Sequence, residues 1–170
     1  MSDKLDYYEG LRELSYEQLV LHLLHKHGAA TDDYFKEKSY EHFLKGEIKS
    51  IAKGNYSRTK EGLYCHHIQE LAYENLSNLD FIKGYQYPYT LQKKEQLVYS
   101  DLVEHIILHE AIVKETQGDF GYKGLVVYLY PQLTEWYIEG RVPHRDWMKA
   151  CFDRAFLTKD EAETFLVRSI

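Results

Sequence analysis

The sequence has few of the features that mark secreted, membrane-spanning or nucleic-acid-coating proteins. Its 2 cysteines, Cys65 and Cys151, lie far apart in the chain. No stretch reaches about 18 uninterrupted apolar residues, as a membrane-spanning helix requires. The first residues have neither the basic nor the apolar region of a secretory signal. We therefore expect a soluble, cytoplasmic protein with no membrane partner, in which both thiols are buried and unpaired.

Positive charge is also scarce. The formal net charge is -6, which excludes a protein that coats nucleic acid through a globally basic surface. One segment before residue 61 has a local excess of positive charge. A phosphate-bearing substrate could be steered there, although such residues are equally common on a solvated surface. The candidate nucleic-acid contacts are Lys49, Lys53, Arg58 and Lys60.

The chain has no internal repeat, low-complexity tract or clear linker, which predicts a single domain over residues 1–170. A hydrophobic share of 44% is enough to fill a core. Helical periodicity dominates, so we predict a mostly helical α+β fold. It should consist of N-terminal helices in residues 1–60, a small β-hairpin plus helix in 61–117, and a helical packing region in 118–170.

Two pairs of histidines stand out. His66 and His67 are adjacent in a short apolar run after a turn signal, which predicts a strand. His105 and His109 are spaced i, i+4 on a predicted helix capped by Ser100, on the same face as its apolar stripe. Both pairs could therefore converge on one metal ion. The alternative is a zinc site or an inward histidine cluster that only holds two segments together.

A tyrosine-rich segment lies between the histidine pairs. Tyr85, Tyr87 and Tyr89 alternate around Pro88, which excludes a central strand and favours an extended surface or edge segment. Alternate tyrosines of this kind could stack on nucleic-acid bases. They could equally cover a core.

The order of these elements resembles a known family. The run Cys65-His66-His67-Ile68, then Gln96-Leu97-Val98-Tyr99, then Glu104-His105-Ile106-Ile107-Leu108-His109 is similar to the core of the HNH or His-Me finger nucleases. That core is a ββα-metal unit in which the first strand carries a histidine doublet and the helix carries the second pair. The resemblance covers about residues 61–112 and leaves the flanking helices unexplained.

The resemblance implies roles for the four histidines. His66, His105 and His109 would be the metal ligands, and His67 would be the general base that activates water for attack on phosphorus. A divalent ion would bind a phosphate oxygen and stabilise the leaving oxygen. Zinc suits three imidazoles best, and magnesium, manganese and nickel remain possible cofactors.

The sequence departs from the family pattern in the second strand. Where the family has an asparagine that orients the base or binds metal, Gln96 stands before Leu97. Asn75 and Asn78, in the connection between the strands, are possible substitutes. Glu70 or Glu104 could complete the coordination or orient a ligand histidine.

These expectations favour a metal-dependent HNH-type phosphodiesterase that acts on DNA or RNA. The alternative is an inhibitor from a phage or mobile element, similar to an anti-CRISPR protein, that binds a host nucleoprotein such as a Cas effector or causes loss of its guide RNA. A small acidic protein suits that role because its charge can occupy a basic nucleic-acid channel. In that case the HNH-like core would be active or vestigial.

Overall fold

The structure is a computed structural model that describes residues 2–169. Helices make up most of it and a small antiparallel sheet lies among them, which confirms a mostly helical α+β fold. The α-helices before the second strand are α1 (Asp3–Leu11), α2 (Tyr16–His27), α3 (Glu37–Leu44) and α4 (Leu79–Tyr85). The strands are β1 (Tyr64–His67) and β2 (Leu97–Ser100).

The second half of the chain continues in helices. They are α5 (Leu102–Glu115), α6 (built from the turns Gly124–Leu129, Tyr130–Leu133 and Thr134–Ile138), α7 (Asp146–Arg154) and α8 (Lys159–Val167). Short 3-10 helices cover Thr59–Glu61, Ile68–Leu71, Tyr89–Gln92 and Lys94–Gln96. None of the helices in residues 2–169 is both long enough and apolar enough to span a bilayer.

Local signals explain where the helices begin. In α2, the Ser15 side chain accepts from the backbone of Gln18, and the Gln18 side chain accepts from the backbone of Ser15. These two reciprocal hydrogen bonds form a capping box, which fixes the start of the helix. In α5 the predicted cap is wrong: Ser100 is the buried last residue of β2, and Asp101 caps the helix together with Glu104. The strand therefore leads into α5 with only Asp101 between them.

The two strands form an antiparallel pair in which His66 lies opposite Val98 and His67 lies opposite Leu97. All four residues of β2 are buried, so this strand lies inside the fold. Because β2 leads directly into α5, the first turns of the helix lie against the sheet. That arrangement positions the histidines of β1 and α5 near each other.

The largest hydrophobic cluster surrounds α5 on several sides. It includes Val98 of β2, Ile106 and Ile112 of α5, and buried side chains from α1, α2, α6, α7 and α8 such as Leu19 and Phe165. A helix that is apolar around most of its circumference is typical of a central buried helix. His105 and His109 therefore project from a helix that is packed on several sides.

Pro131 lies inside a helical segment that runs from Gly124 to Ile138. Proline has no N–H for the i, i-4 ladder, and the turns on both sides of Pro131 are π-helical. This wider winding lets the helix continue past the proline.

Candidate metal centre

The two faces of β1 separate the histidine doublet. Successive side chains of a strand point to opposite faces, so His66 faces α5 and His67 faces away from it. The His66 ring centroid lies 5.3 Å from that of His105 and 5.5 Å from that of His109. The His67 ring instead lies 4.5 Å from the ring of Tyr34.

His66, His105 and His109 form a cluster that could hold a metal ion. One candidate ligand atom from each residue lies within 4.8 Å of those of the other two. The rings of His105 and His109, one helical turn apart, have centroids 4.9 Å apart. His66 and His109 are buried, and His105 is partly exposed. The structure therefore brings together the three residues predicted as ligands.

The hydrogen bonds of Tyr16 fix the tautomer of His66. The Tyr16 hydroxyl donates to the carbonyl oxygen of Ile68 at 2.7 Å, which uses its single proton. It therefore accepts from Nε2 of His66, which lies 2.9 Å away. A neutral imidazole with its proton on Nε2 carries a lone pair on Nδ1.

That lone pair is buried without a partner. His66 Nδ1 and His105 Nδ1 are both inaccessible to solvent and have no hydrogen-bond partner in the part of the chain that the structure describes. Burial lowers the pKa of His66 to about 4 and also lowers that of His105. Both rings are therefore neutral near pH 7, which is the form that binds metal.

The third histidine of the cluster, His109, is oriented by a backbone carbonyl on the side of its ring that faces away from the cluster. His109 Nδ1 donates to the carbonyl oxygen of Gly121 at 3.2 Å, so its Nε2 points into the cluster. Gly121 has a positive φ of 80°, a conformation that favours glycine. A Cβ on Gly124 would lie 3.1 Å from Cε1 of the His109 ring. The segment after α5 thus packs closely on this ligand and holds it in place.

Glu70 lies beside the cluster. Its Oε2 lies 3.3 Å from His109 Nε2 and 3.5 Å from His66 Nδ1. The carboxylate therefore contacts two of the three histidines. Burial alone would raise the pKa of Glu70, but His66 and His109 together lower it, and the group is a carboxylate at neutral pH.

A cavity of about 560 Å³ opens beside the cluster. His105, His109 and Glu70 form part of its wall, while His66 lies behind them. The cavity therefore reaches the rings of His105 and His109 and the Glu70 carboxylate, while the Nδ1 atoms of His66 and His105 are closed off from solvent. The other charged residues of the wall are two carboxylates and a lysine, namely Glu74, Asp119 and Lys123.

The wall is also rich in aromatic side chains, and several of them are exposed. They come from the connection between the strands and from the segment around the start of α6. These residues are Tyr73, Phe81, Phe120, Tyr122 and Tyr128.

The partner of His67 differs from the predicted one. His67 Nε2 lies 2.7 Å from Oε1 of the fully buried Gln92, and the Gln92 amide nitrogen donates to the carbonyl of Leu76. Gln96, the expected partner, accepts a hydrogen bond from Gln69 instead. The reason is geometric: Gln96 ends a 3-10 turn before β2, whereas Gln92 lies in the preceding 3-10 helix and projects under the sheet.

Glu104 does not contact the metal cluster. Neighbouring residues of a helix point about 100° apart, so Glu104 faces α1 and α2 although it directly precedes His105 in the sequence. Its buried carboxylate accepts from Lys26 at 2.7 Å and Tyr7 at 2.8 Å and lies 2.8 Å from His27 Nε2. Of the two predicted acidic residues, only Glu70 contacts the cluster of His66, His105 and His109.

The four predicted basic contacts lie away from the cavity. Arg58 forms two hydrogen bonds to Glu61 and its guanidinium lies 4.8 Å from the ring centroid of Tyr99. It therefore has structural partners. The other three, Lys49, Lys53 and Lys60, are exposed. None of the four is among the described residues that line the cavity.

Cys65 shares the His67 face of β1 and packs with Leu63, Leu97 and Tyr99. Burial raises the pKa of its thiol to about 12. A metal ligand needs the thiolate, and the side chain points away from His66. Cys65 is therefore a packing residue.

Sequence reasoning missed Tyr16, Gln92, Gly121 and Gly124. The first two act across 50 and 25 residues of chain, a separation that periodicity does not predict. Gly121 and Gly124 follow α5 closely in the sequence. A pair of glycines just after the helix that carries two histidines was the sequence signal that could have identified them.

The chain was also compared with known proteins. No protein family, no curated protein and no solved structure matches it. The geometry of the site is therefore the basis for any functional conclusion.

Proposed function

We propose that the protein is a metal-dependent phosphodiesterase that acts on nucleic acid. His66, His105, His109 and Glu70 would hold a divalent cation. The observation that carries the proposal is the lone pair of His66 Nδ1, which is buried, unpartnered and 3.5 Å from the Glu70 carboxylate.

A cation resolves an electrostatic conflict at this point. With the proton of His66 on Nε2, a nitrogen lone pair and a carboxylate oxygen face each other in a buried place. Two acceptors in contact repel unless a proton or a metal lies between them. Protonation of His66 is disfavoured because burial lowers its pKa. A divalent ion bound by both atoms satisfies them together.

The cavity supports a hydrolytic role rather than a purely structural one. Structural zinc sites are closed, whereas catalytic sites keep a position open to solvent. Here His105, His109 and Glu70 line a cavity large enough for a substrate group. A divalent ion at this place would polarise a phosphoryl oxygen and stabilise the leaving oxygen.

The charge of the cavity indicates why the ion would be needed. Three carboxylates, Glu70, Glu74 and Asp119, line it against a single lysine, Lys123. Without a cation this wall repels phosphate. We expect a phosphate group to bind inside this cavity, and to be cleaved there, only when the metal is present.

The chain order supports the HNH-type interpretation. An antiparallel strand pair leads into a helix, with a ligand on the first strand and two ligands one turn apart on the helix. We propose that β1, β2 and α5 are a divergent ββα-metal unit. The long connection between the strands, which contains α4, is a departure from a tight hairpin.

Metal binding and cleavage are tested on the same variants. We expect metal-free protein to bind a single equivalent of Zn²⁺, Mn²⁺ or Ni²⁺ by isothermal titration calorimetry. His105→Ala and His109→Ala should lose this binding, while the exposed control His144→Ala should retain it. Supercoiled plasmid and structured RNA, each with added metal, report activity. Absence of stoichiometric binding, or equal cleavage by wild type and His105→Ala, would contradict the proposal.

The role of His67 as general base is tested separately. It is buried on the opposite face of β1 and bonded to Gln92, so its loss can disturb the fold as well as the chemistry. Gln92→Leu removes the same hydrogen bond without changing the imidazole. If His67 transfers a proton, His67→Ala should reduce kcat far more than Gln92→Leu. Equal losses would show that His67 only positions the connection between the strands.

A further inference from the structure

A series of tyrosine rings leads from the cavity to solvent. Tyr73 lies in the cavity wall and packs edge-on against Tyr87, with ring centroids 5.5 Å apart and an interplanar angle of 86°. Tyr87 in turn stacks on Tyr85, with centroids 5.6 Å apart and an angle of 12°. Tyr85 is 68% exposed, so the series ends in an open aromatic ring.

The backbone around Gln86 builds this stack. Gln86 ends α4 in the left-handed conformation, with a φ of 53°. This turn places the rings of Tyr85 and Tyr87, two residues apart, nearly parallel. Tyr87 is fixed at both ends, because its hydroxyl donates to the carbonyl of Glu74 and its own carbonyl accepts from Tyr40. Tyr85 therefore rests on an anchored ring.

Tyr85 also contacts the cavity wall directly through Phe81, whose ring centroid lies 6.0 Å away. Phe81 and Tyr73 both line the cavity at the metal cluster. Lys83, two residues before Tyr85, is exposed. Exposed aromatic rings on which bases stack are the part of a single-strand binding site that accepts any base sequence.

We propose that this tyrosine series, Tyr73, Tyr87 and Tyr85, is a binding site for unpaired bases of a single-stranded nucleic acid. A base would stack on the open face of Tyr85 while the strand continues toward the cavity. In a duplex each base is covered by its neighbours, so its face cannot reach the tyrosine. The inference rests on the proposed function and specifies its substrate as a single strand or an unpaired overhang.

The test measures binding without metal, so it does not depend on cleavage. Fluorescence anisotropy in EDTA compares three probes: a labelled thymidine single strand, its duplex, and an abasic strand with the same phosphates. We expect the single strand to bind more tightly than both others. Tyr85→Ala should weaken single-strand binding about tenfold, since one base–aromatic stack is lost. Tyr85→Phe, which keeps the ring, should bind as wild type does.

Trp147→Ala is the matched control, because Trp147 is an exposed aromatic outside the cavity wall, and it should leave affinity unchanged. Equal affinity for the abasic and normal strands would overturn the inference, and so would an unchanged Tyr85→Ala. Displacement of the strand by a neutral oligosaccharide would also overturn it and reassign the platform to sugars. If metal-dependent cleavage of bis(p-nitrophenyl) phosphate persists while base binding fails, the proposed function stands and this inference falls.

Discussion

The hydroxyl of Tyr16 contacts none of the atoms that would bind the metal ion. Its removal is therefore the most specific test of the candidate metal centre. This hydroxyl accepts from His66 Nε2 and donates to the Ile68 carbonyl. In Tyr16→Phe, the Nε2 proton of His66 loses its acceptor. The ring can then move its proton to Nδ1, where Glu70 Oε2, 3.5 Å away, can accept it. Metal binding would have to reverse that change.

The expected cost follows from these contacts. Loss of a partner that orients a ligand histidine typically lowers metal affinity 10- to 100-fold, which corresponds to about 1.4–2.7 kcal/mol. The fold should also lose about 2 kcal/mol of stability, since two buried hydrogen bonds disappear at about 1 kcal/mol each. The metal affinity should therefore fall even where the variant is fully folded.

Calorimetric titration of metal-free protein measures the affinity, and urea denaturation measures the stability. The matched control is Tyr137→Phe, a buried tyrosine whose hydroxyl donates to the Phe152 carbonyl away from the cluster. It should lose stability and keep metal affinity. The histidine ring nitrogens, observed by NMR, should show the tautomer change in Tyr16→Phe alone. Equal metal affinity in the two variants would refute this account of His66.

Three further substitutions have distinct expected outcomes. Gly124→Ala should reduce metal affinity about tenfold by pressing on a ligand ring, and Gly84→Ala, whose Cβ meets nothing within 4 Å, should not. Glu104→Gln should lower the free energy of unfolding by about 2 kcal/mol, because the charge-assisted hydrogen bonds from Lys26 and Tyr7 are weakened, without changing metal stoichiometry. Burial, with the nearby Glu104 charge, raises the pKa of Asp101 to about 6. The folded state then binds more protons than the unfolded state, so this contribution to stability falls from about pH 4 to about pH 6. Asp101→Asn should remove that fall in urea denaturation across this pH range.

The parts of the site that sequence predicts are those set by local periodicity. His105 and His109 lie on one helix face because they are one turn apart, and His66 lies on one strand face because a strand alternates. The direct passage from β2 into α5 then brings these faces together. Spacing within each element and the order of the elements predicted that the two histidine pairs meet, whereas the choice of His66 over His67 as the third member came from the resemblance to the nuclease core.

The parts that sequence missed depend on contacts between distant segments. Tyr16 reaches His66 from α2 only because α2 packs against the sheet and α5. Gln92 and Gln96 are chemically alike, and only the path of the connection decides which one contacts His67. Glu104 was predicted to lie near the metal because it adjoins His105 in the sequence. Its position on the helix points its side chain away from the histidine cluster. The inhibitor alternative and its host partner remain predictions from charge.

The adjacent residues His66 and His67 connect the candidate metal centre with the segment that lines the cavity. His66 faces α5 and the proposed ion, while His67 bonds Gln92, which in turn donates to the carbonyl of Leu76. This chain of hydrogen bonds ties the connection between the strands to the back of β1. The same connection carries Glu70 and Tyr73 into the cavity wall. One proposed ligand, His66, and the anchor of the connection, His67, therefore lie on opposite faces of one short strand, so a shift of β1 would disturb both the proposed metal binding and the connection that carries the tyrosine series.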